Sequence, residues 1–150
     1  MSINSLPSER VAVGGVIDPD ANTAATLTSD WLDMGAFGSA MGIVMAGAFG
    51  SSGTLNAKLQ QATDSSGTGA KDITGKAITA LTDAGTDSDK QAIINVRDSE
   101  LDVANSFTHV ALVMITAVAT GDSAGILLGL DPRHGPASDN DLASVDEIVN

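Results

Sequence analysis

The sequence lacks most of the side chains that carry out chemistry in proteins. It contains no cysteine and no tyrosine, one tryptophan (Trp31) and two histidines, His109 and His134. Without cysteine the chain can form neither disulfide bonds nor cysteine-ligated metal sites. No further histidine is present to complete a zinc site with His109 and His134. This composition favours a binding or structural protein over an enzyme.

Basic residues are also few. Seven lysines and arginines are outnumbered by 19 aspartates and glutamates, which gives a net charge of −12 at pH 7. Nucleic acids and anionic membranes bind proteins chiefly through clustered lysine and arginine. We therefore predict no direct binding to nucleic acid and no binding to a membrane. The acidity indicates a solubility device, an adaptation to salty surroundings, or a surface that suits a basic protein partner.

Long hydrophobic segments are absent. The longest apolar run, residues 110–119, has about half the length that a membrane-spanning helix needs. The first ten residues lack the basic start and apolar stretch of a secretory signal. Much of the hydrophobic content is alanine and only 3% of the residues are aromatic. We expect a soluble single domain with a closely packed core.

The chain does contain a series of short strand-like runs separated by Gly, Ser and Asp turns. In residues 54–63, Leu55, Ala57 and Leu59 alternate with polar residues, as in a strand with one solvated face. Residues 108–119 are rich in β-branched side chains, which favour a strand, although a short helix is the alternative there. The other predicted strands cover residues 26–34, 41–49, 72–82, 90–98 and 124–130. Residues 41–49 are apolar on both faces, which predicts a buried strand. Residues 90–98 alternate, with Ala92, Ile94 and Val96 on one face.

The number and spacing of these runs predict the fold class. No segment offers the crossover helix that a parallel sheet requires. We therefore predict an all-β protein, an antiparallel β-sandwich or jelly roll with about eight strands. The domain is predicted to cover residues 24–130, with an extended N-terminal arm over residues 1–23 and a C-terminal tail over residues 131–150. Terminal disorder is the alternative interpretation of both ends.

Motifs for catalysis or ligand binding are not convincing. Residues 69–76 superficially resemble a phosphate-binding loop, but Ala70 and Ala77 stand where the motif requires Gly and Ser or Thr. The acidic clusters in residues 83–89 and 139–147 lack the spacing of a calcium-binding loop and indicate solvated turns. We also expect no Gly-x-Ser-x-Gly motif of the nucleophile-elbow type. The sequence thus predicts no catalytic residue, no cofactor and no metal site.

Several stretches resemble a family of small structural proteins of tailed bacteriophages. They are Ser-Asp-Trp-Leu-Asp-Met at residues 29–34, Ala-Gly-Ala-Phe-Gly at 46–50, the Gln- and Gly-rich segment at 58–73, Phe-Thr-His-Val at 107–110 and Gly-Leu-Asp-Pro-Arg-His-Gly-Pro-Ala at 129–137. The resemblance implies a head decoration or cement protein that binds the capsid exterior, with the major capsid protein as partner and a homotrimer as its own state. It implies synthesis in the host bacterial cytoplasm.

The resemblance leaves a second virion role open, as a tail, head–tail joining or fibre-type adhesin subunit with a similar body. In either role the contacts with other subunits are expected to come from apolar positions in the two ends and from large side chains of the domain. The candidate subunit or capsid contacts are Val11, Val13, Val16, Ile17, Trp31, Phe37, Arg133, His134, Ile148 and Val149.

Overall fold

In the computed structural model, which describes residues 4–150, two antiparallel β-sheets pack face to face. A four-residue helix, α1 (Pro7–Arg10), precedes the first strand. Three short 3₁₀ helices cover Asp98–Glu100, Val103–Asn105 and Ala137–Asn140. The strands are β1 (Val11–Asn22), β2 (Thr26–Thr28), β3 (Leu32–Asp33), β4 (Phe37–Phe49), β5 (Thr54–Ala62), β6 (Lys71–Ala77), β7 (Leu81–Thr82), β8 (Gln91–Arg97), β9 (His109–Ala117) and β10 (Gly121–Pro132).

The strand order is that of a jelly roll. One sheet has the order β1-β10-β4-β8, and the other has the order β2-β9-β5-β6, in which β3 also pairs with β9 and β7 with β5. If the two split strands, β2/β3 and β6/β7, are each counted once, eight strand positions are divided equally between the sheets. The described residues therefore confirm the predicted all-β antiparallel class and its jelly-roll character.

The core lies between the sheets and is built from the inward positions of each strand. The largest fully buried side chains include Phe37, Leu59, Leu112 and Leu127. The alternation predicted for residues 54–63 is confirmed for Leu55, Ala57 and Leu59, which point inward and are at most 1% exposed. The next inward position holds a polar residue, Gln61, which is 5% exposed and accepts a hydrogen bond from the Asp102 N–H. Side chains on the inward positions of one sheet meet glycines on the other, which lets the two layers approach closely.

The predicted N-terminal arm needs correction, because residues 11–22 form β1 at the edge of the four-stranded sheet. Gly14 and Gly15 do not end the strand. They lie at a register shift against β10, where Gly14 leaves room for Leu32. Pro19 lies at a second register shift, and an edge strand tolerates proline because one side of it needs no ladder hydrogen bond. Residues 1–3 of the predicted arm lie outside the described residues.

The predicted C-terminal tail also begins differently, because β10 continues to Pro132. After β10 the chain packs back on the domain, and Ala137 is fully buried. Asp141 accepts a hydrogen bond from the backbone N–H of Val13 at 2.7 Å, and the Leu142 N–H donates to the Val13 carbonyl at 3.0 Å. The first half of the tail thus covers the free edge of β1.

The strand predicted over residues 26–34 is interrupted by residues 29–31. At the break, hydrogen bonds of the Ser29 side chain take the place of part of the regular backbone pairing, and this side chain is 5% exposed. Its Oγ accepts a hydrogen bond from the Leu112 N–H at 3.0 Å and donates to the Asp30 carbonyl at 2.8 Å. The serine side chain therefore holds β2 and β3 on β9 while the backbone between them bends.

Candidate contact surfaces

The outward side of the four-stranded sheet carries many apolar side chains. Opposite residues of β1, β10, β4 and β8 form rows across this sheet, and residues directly opposite each other point to the same side. We call these outward residues the outer face. The outer face consists of the rows Val16–Ile126–Ile43–Ile93, Val13–Leu128–Met41–Asn95 and Val11–Leu130–Ser39–Arg97, together with the pair Met45–Gln91.

The outer face is apolar and partly open to solvent. Ile93 is 59% exposed and Met45 is 45% exposed. The outward side chains of β1 and β10 are half-buried, since neighbouring apolar side chains shield one another. Arg97 is the single charged residue of these rows. The Asp131 carboxylate borders them, since its Oδ2 accepts a hydrogen bond from the Ser39 hydroxyl at 2.6 Å. An apolar surface of this extent typically marks a site of interaction with another macromolecule.

Sequence reasoning missed most of the outer face. Residues 41–49 were predicted to form a buried strand because they are apolar on both sides, but only one side of β4 faces the core. The available signal was Ile93. It falls on the polar side of the alternating β8, and this is a weak signal because single apolar residues are common on protein surfaces.

The two free edges of the four-stranded sheet differ. The edge of β1 is occupied by side chains and by the tail, since the Val16 N–H also donates to Asp30 Oδ2 at 3.3 Å. Such capping prevents another strand from adding to β1. In the topology, β8 has β4 as its only neighbour among the described strands. Contacts through β1 must therefore use side chains on its outer face rather than backbone pairing.

The predicted contact residues fall into three environments: the outer face, the core, and surface positions away from the outer face. Val11, Val13 and Val16 belong to the outer face and are half-buried. Ile17 is 6% exposed and Phe37 is 1% exposed. The prediction of these last two as intermolecular contacts needs correction, because both side chains point into the core.

The remaining predicted contact residues lie away from the outer face. Trp31 is half-buried in the break between β2 and β3, where it packs close to Gly67. Arg133 pairs with Asp98 and is partly exposed, and the neighbouring His134 is exposed. Ile148 and Val149 are 42% and 83% exposed at the C-terminal end. As contacts with another protein these positions stay predictions.

Carboxylates outside the outer face are held by local hydrogen bonds. Asp72 on β6 accepts from Lys58 Nζ at 2.9 Å and from Gln60 Nε2 at 2.8 Å. The hydrogen bond from Lys58 is the main cause of a pKa for Asp72 below its usual value of 3.8. Hydrogen bonds from Lys90 and Lys71 likewise lower the pKa values of Asp87 and Asp102. Lysines thus restrain several carboxylates of the acidic surface.

We expect Asp72→Asn to reduce the loss of stability in acid. A lowered folded-state pKa contributes stability that is present above the unfolded-state pKa and is lost as the pH falls through the folded value. Without Asp72, the drop in the free energy of unfolding between about pH 5 and pH 2 should be smaller. Urea unfolding at a series of pH values measures this slope. Asp146→Asn, at an exposed position near the C-terminus, is the control, and an unchanged slope in Asp72→Asn would contradict the role of Asp72.

The histidines and acidic clusters do not form a site among the described residues. His109 begins β9 and its Nδ1 lies 3.0 Å from the Thr108 hydroxyl, whereas His134 follows β10 in an exposed loop. The carboxylates of residues 83–89 are used within their own turn, as when Asp87 accepts from the Thr82 N–H at 3.0 Å. Residues 4–150 contain no group of three or more His, Asp or Glu side chains placed to hold a metal ion.

The expectation that the Gly-x-Ser-x-Gly motif is absent needs correction. Residues 121–125, Gly-Asp-Ser-Ala-Gly, match the Gly-x-Ser-x-Gly pattern of hydrolases. In the structure they lie inside β10, with no helix after them, whereas a nucleophile elbow is a strand-to-helix turn that exposes its serine. Ser123 is 5% exposed and its Oγ lies 3.4 Å from Asn22 Nδ2. The pattern match therefore gives no catalytic geometry at Ser123.

Comparison with known proteins identifies no family for the chain. No protein-family description matches it, and no curated protein matches it. No helix within residues 4–150 has both the length and the apolar character needed to cross a membrane.

Solved structures to which the chain is similar include chains of virus particles. A chain of broad bean stain virus matches with 16% identity and a TM-score of 0.42, over 71% of this chain and 59% of the viral one. An empty virus-like particle of cowpea mosaic virus gives 15% identity and a TM-score of 0.35, over 72% of this chain and 56% of the viral one. PirA gives 15% identity and a TM-score of 0.43, over 84% and 99% of the two chains. Likenesses of this strength establish neither a family nor a function.

Proposed function

We propose that this chain is a structural protein of a tailed-bacteriophage particle, a head decoration or cement protein that binds the capsid exterior and bridges neighbouring capsomers. The observation that carries the proposal is the outer face, a largely apolar surface with one charged residue in its rows, on a chain of net charge −12. The resemblance of residues 29–34, 58–73 and 129–137 to phage structural proteins supplies the setting.

The physical properties of the surface fit a protein that acts by adhesion. Burial of apolar surface contributes roughly 25 cal/mol per Å², so a wide apolar face can bind strongly without specific chemistry. The carboxylates lie at the border of this face and on the rest of the surface, and they keep the free chain soluble before assembly. They also disfavour contact with packaged nucleic acid.

The partners in this proposal are the major capsid protein and two further copies of the chain. The exposed C-terminal end offers a contact with the capsid, because Ile148 and Val149 extend two apolar side chains beyond the packed part of the tail. Trp31, Arg133 and His134 are further proposed contact residues. Synthesis in the host bacterial cytoplasm and a final position on the outside of the shell complete the proposal.

We expect the purified chain to co-sediment with expanded, empty phage shells that lack it. A chain that ends at Leu142 keeps the hydrogen bond to β1 but loses the exposed apolar end. Shell binding by this shortened chain should fall at least about tenfold, which corresponds to about 1.4 kcal/mol. Circular dichroism serves as the control that the shortened chain keeps its β-structure.

Other binding partners would lead to a different conclusion. Assembly into rings or tubes that ignore shells would replace the decoration role by that of a tail or head–tail joining subunit. Binding to the host envelope or to glycans, again without shell binding, would indicate a fibre-type adhesin. Either result would contradict the proposal.

A further inference from the structure

We propose that an extended segment of the major capsid protein adds to the free edge of β8 and becomes a further strand of the four-stranded sheet. The inference rests on the proposed function and deepens it, because it names the chemistry of the partner at one contact. The added segment carries an apolar residue beside Ile93 and an aspartate or glutamate beside Arg97. Backbone hydrogen bonds supply most of the affinity when a strand is added to a sheet edge in this way.

The two edges of the four-stranded sheet are protected very differently. Proteins blunt a sheet edge with proline, with bulges or with a covering segment, because an open edge pairs with other chains. The β1 edge has Pro19, two register shifts and a cover that includes Asp141. In contrast, β8 has seven residues without a proline and pairs with β4 without a register shift. The β8 edge is therefore suited to take another strand.

The register shows which backbone groups of β8 are open. The Ala46 N–H donates to the Lys90 carbonyl at 2.9 Å, and in an antiparallel ladder every second residue forms such a pair with its neighbour. Even-numbered residues of β8 therefore bond to β4, and odd-numbered residues direct their N–H and C=O groups to the free edge. The Arg97 N–H agrees with this assignment, because it donates to Glu100 Oε2 at 2.8 Å. An incoming strand can thus pair with residues 91–95.

The open positions lie at the surface. Gln91, Ile93 and Asn95 are exposed, and the exposed fraction of Ile93 is 59%. Within residues 4–150, no hydrogen bond from outside β4 reaches the backbone N–H or C=O of these three residues. Side chains of neighbouring strands contact each other on the same side of a sheet. An apolar residue of the added strand would therefore cover Ile93.

Arg97 determines the charge that the added segment needs. The four lysines and Arg133 each form an ion pair with a carboxylate, whereas the Arg97 guanidinium has no ion-pair partner among the described residues. Glu100 uses its other carboxylate oxygen to bind Lys76 Nζ at 2.8 Å. A cavity of about 430 Å³ at this end of β8 has Lys76, Asn95 and Arg97 in its wall. An aspartate or glutamate of the added strand would enter this cavity and pair with Arg97.

A second copy of this chain suits the β8 edge less well. Each copy has a net charge of −12, so pairing of two β8 edges would bring two acidic domains side by side. A segment of the major capsid protein needs to supply only one carboxylate, at the position of Arg97. We therefore assign the edge to the capsid protein, and pairing between copies is a contrary result of the experiment.

Proline at position 95 tests the backbone pairing without removing a ladder hydrogen bond. The Asn95 N–H points to the free edge, and proline is tolerated at such positions of an edge strand. Asn95→Ala keeps this N–H and removes only the side chain. The dissociation constant for expanded, empty phage shells that lack the chain should be at least about tenfold higher for Asn95→Pro than for Asn95→Ala, because proline removes a donor and blocks the added strand. Far-UV circular dichroism checks that both variants remain folded.

Arg97→Gln tests the charge of the added segment. Shell binding should weaken about fivefold, because a charge-assisted hydrogen bond is lost. Lys58→Gln removes the same charge from the other sheet and is the matched control, for which shell binding should not change. Hydrogen exchange followed by mass spectrometry gives a direct readout of the pairing. Residues 91–95 should exchange more slowly in the shell-bound chain than in the free chain.

The outcomes separate this inference from the proposed function. If the wild type binds shells, equal binding by Asn95→Pro and Asn95→Ala without slower exchange of residues 91–95 would overturn the strand addition and leave the decoration role standing. A wild-type dimer in sedimentation equilibrium that Asn95→Pro dissociates would show that the edge takes a second copy, which also overturns the inference. A wild type that does not bind shells would contradict the proposed function and the strand addition together.

Discussion

Leu112→Ala should lower the free energy of unfolding by about 3 kcal/mol, the effect expected when a leucine is truncated in a rigid core. Leu112 lies on β9 and is fully buried. Its two methyl groups reach the opposite sheet at two glycines, since a Cβ built on Gly42 or Gly125 would lie 3.2 or 2.8 Å from Cδ1 or Cδ2. Loss of the side chain would leave a cavity that neighbouring backbone cannot fill by a small shift.

Urea unfolding followed by circular dichroism measures this change. Val103→Ala is the control, because Val103 is 59% exposed and exposed substitutions usually change stability by less than about 0.5 kcal/mol. Measurements at several protein concentrations separate the effect on folding from any effect on association. A change below about 1 kcal/mol in Leu112→Ala would mean that the sheets are not packed as described.

Gly129→Ala is the second substitution with a large expected effect, a loss of about 2–3 kcal/mol from overpacking. A Cβ at position 129 would lie 2.8 to 2.9 Å from three ring atoms of Phe37, which is 1% exposed. The ring lies inside the core and cannot rotate away without displacing other buried side chains. The strain should therefore appear in the folded state as a lower urea midpoint with an unchanged denaturant slope.

A double-mutant cycle identifies the cause of this loss. Phe37→Leu creates room beside position 129, so Gly129→Ala should cost less in the Phe37→Leu background than in the wild type. Gly38→Ala is a control in the adjacent strand, because its Cβ would meet the nearest atom, Asp131 Cβ, at 3.3 Å. An equal cost of Gly129→Ala in both backgrounds would show that the Phe37 ring is not the obstacle.

The sequence predicted the fold class well because the relevant signals are local. Alternation in β5 and β8 and the β-branched side chains of β9 identify strands without knowledge of their partners. The polar turns between them gave the spacing that is typical of a jelly roll. Local signals could not show that Ser29 would interrupt the strand over residues 26–34, because its hydrogen bond to the Leu112 N–H joins residues 83 positions apart.

Sequence reasoning did not predict a continuous strand over residues 11–22. The places of its glycines and its proline depend on parts of the fold that are distant in the sequence. Gly14 is required by the position of Leu32, and Pro19 is tolerated because β1 is an edge strand. Both residues look like strand breakers when only their neighbours in sequence are considered. The same limitation placed Ile17 and Phe37 among the contact residues, although their side chains point into the core.

The outer face was beyond sequence reasoning for a different reason. Apolar residues on both sides of β4 indicate burial on both sides, but burial within one chain and burial against another molecule leave the same pattern. The fold distinguishes the residues of β4 that are buried within the chain from those that remain open to another molecule. Residues such as Ala40 and Val44 face the core, whereas Met45 remains 45% exposed.

The most direct test of the central claim is the number of copies of this chain in purified phage particles. Quantitative mass spectrometry of the particles, with the major shell protein as the internal standard, measures this ratio. A protein that binds by its surfaces across the whole shell should be present in a number comparable to that of the shell subunit. Absence from the particle, or a number far smaller than that of the shell subunit, would contradict a role in covering and stabilising the head.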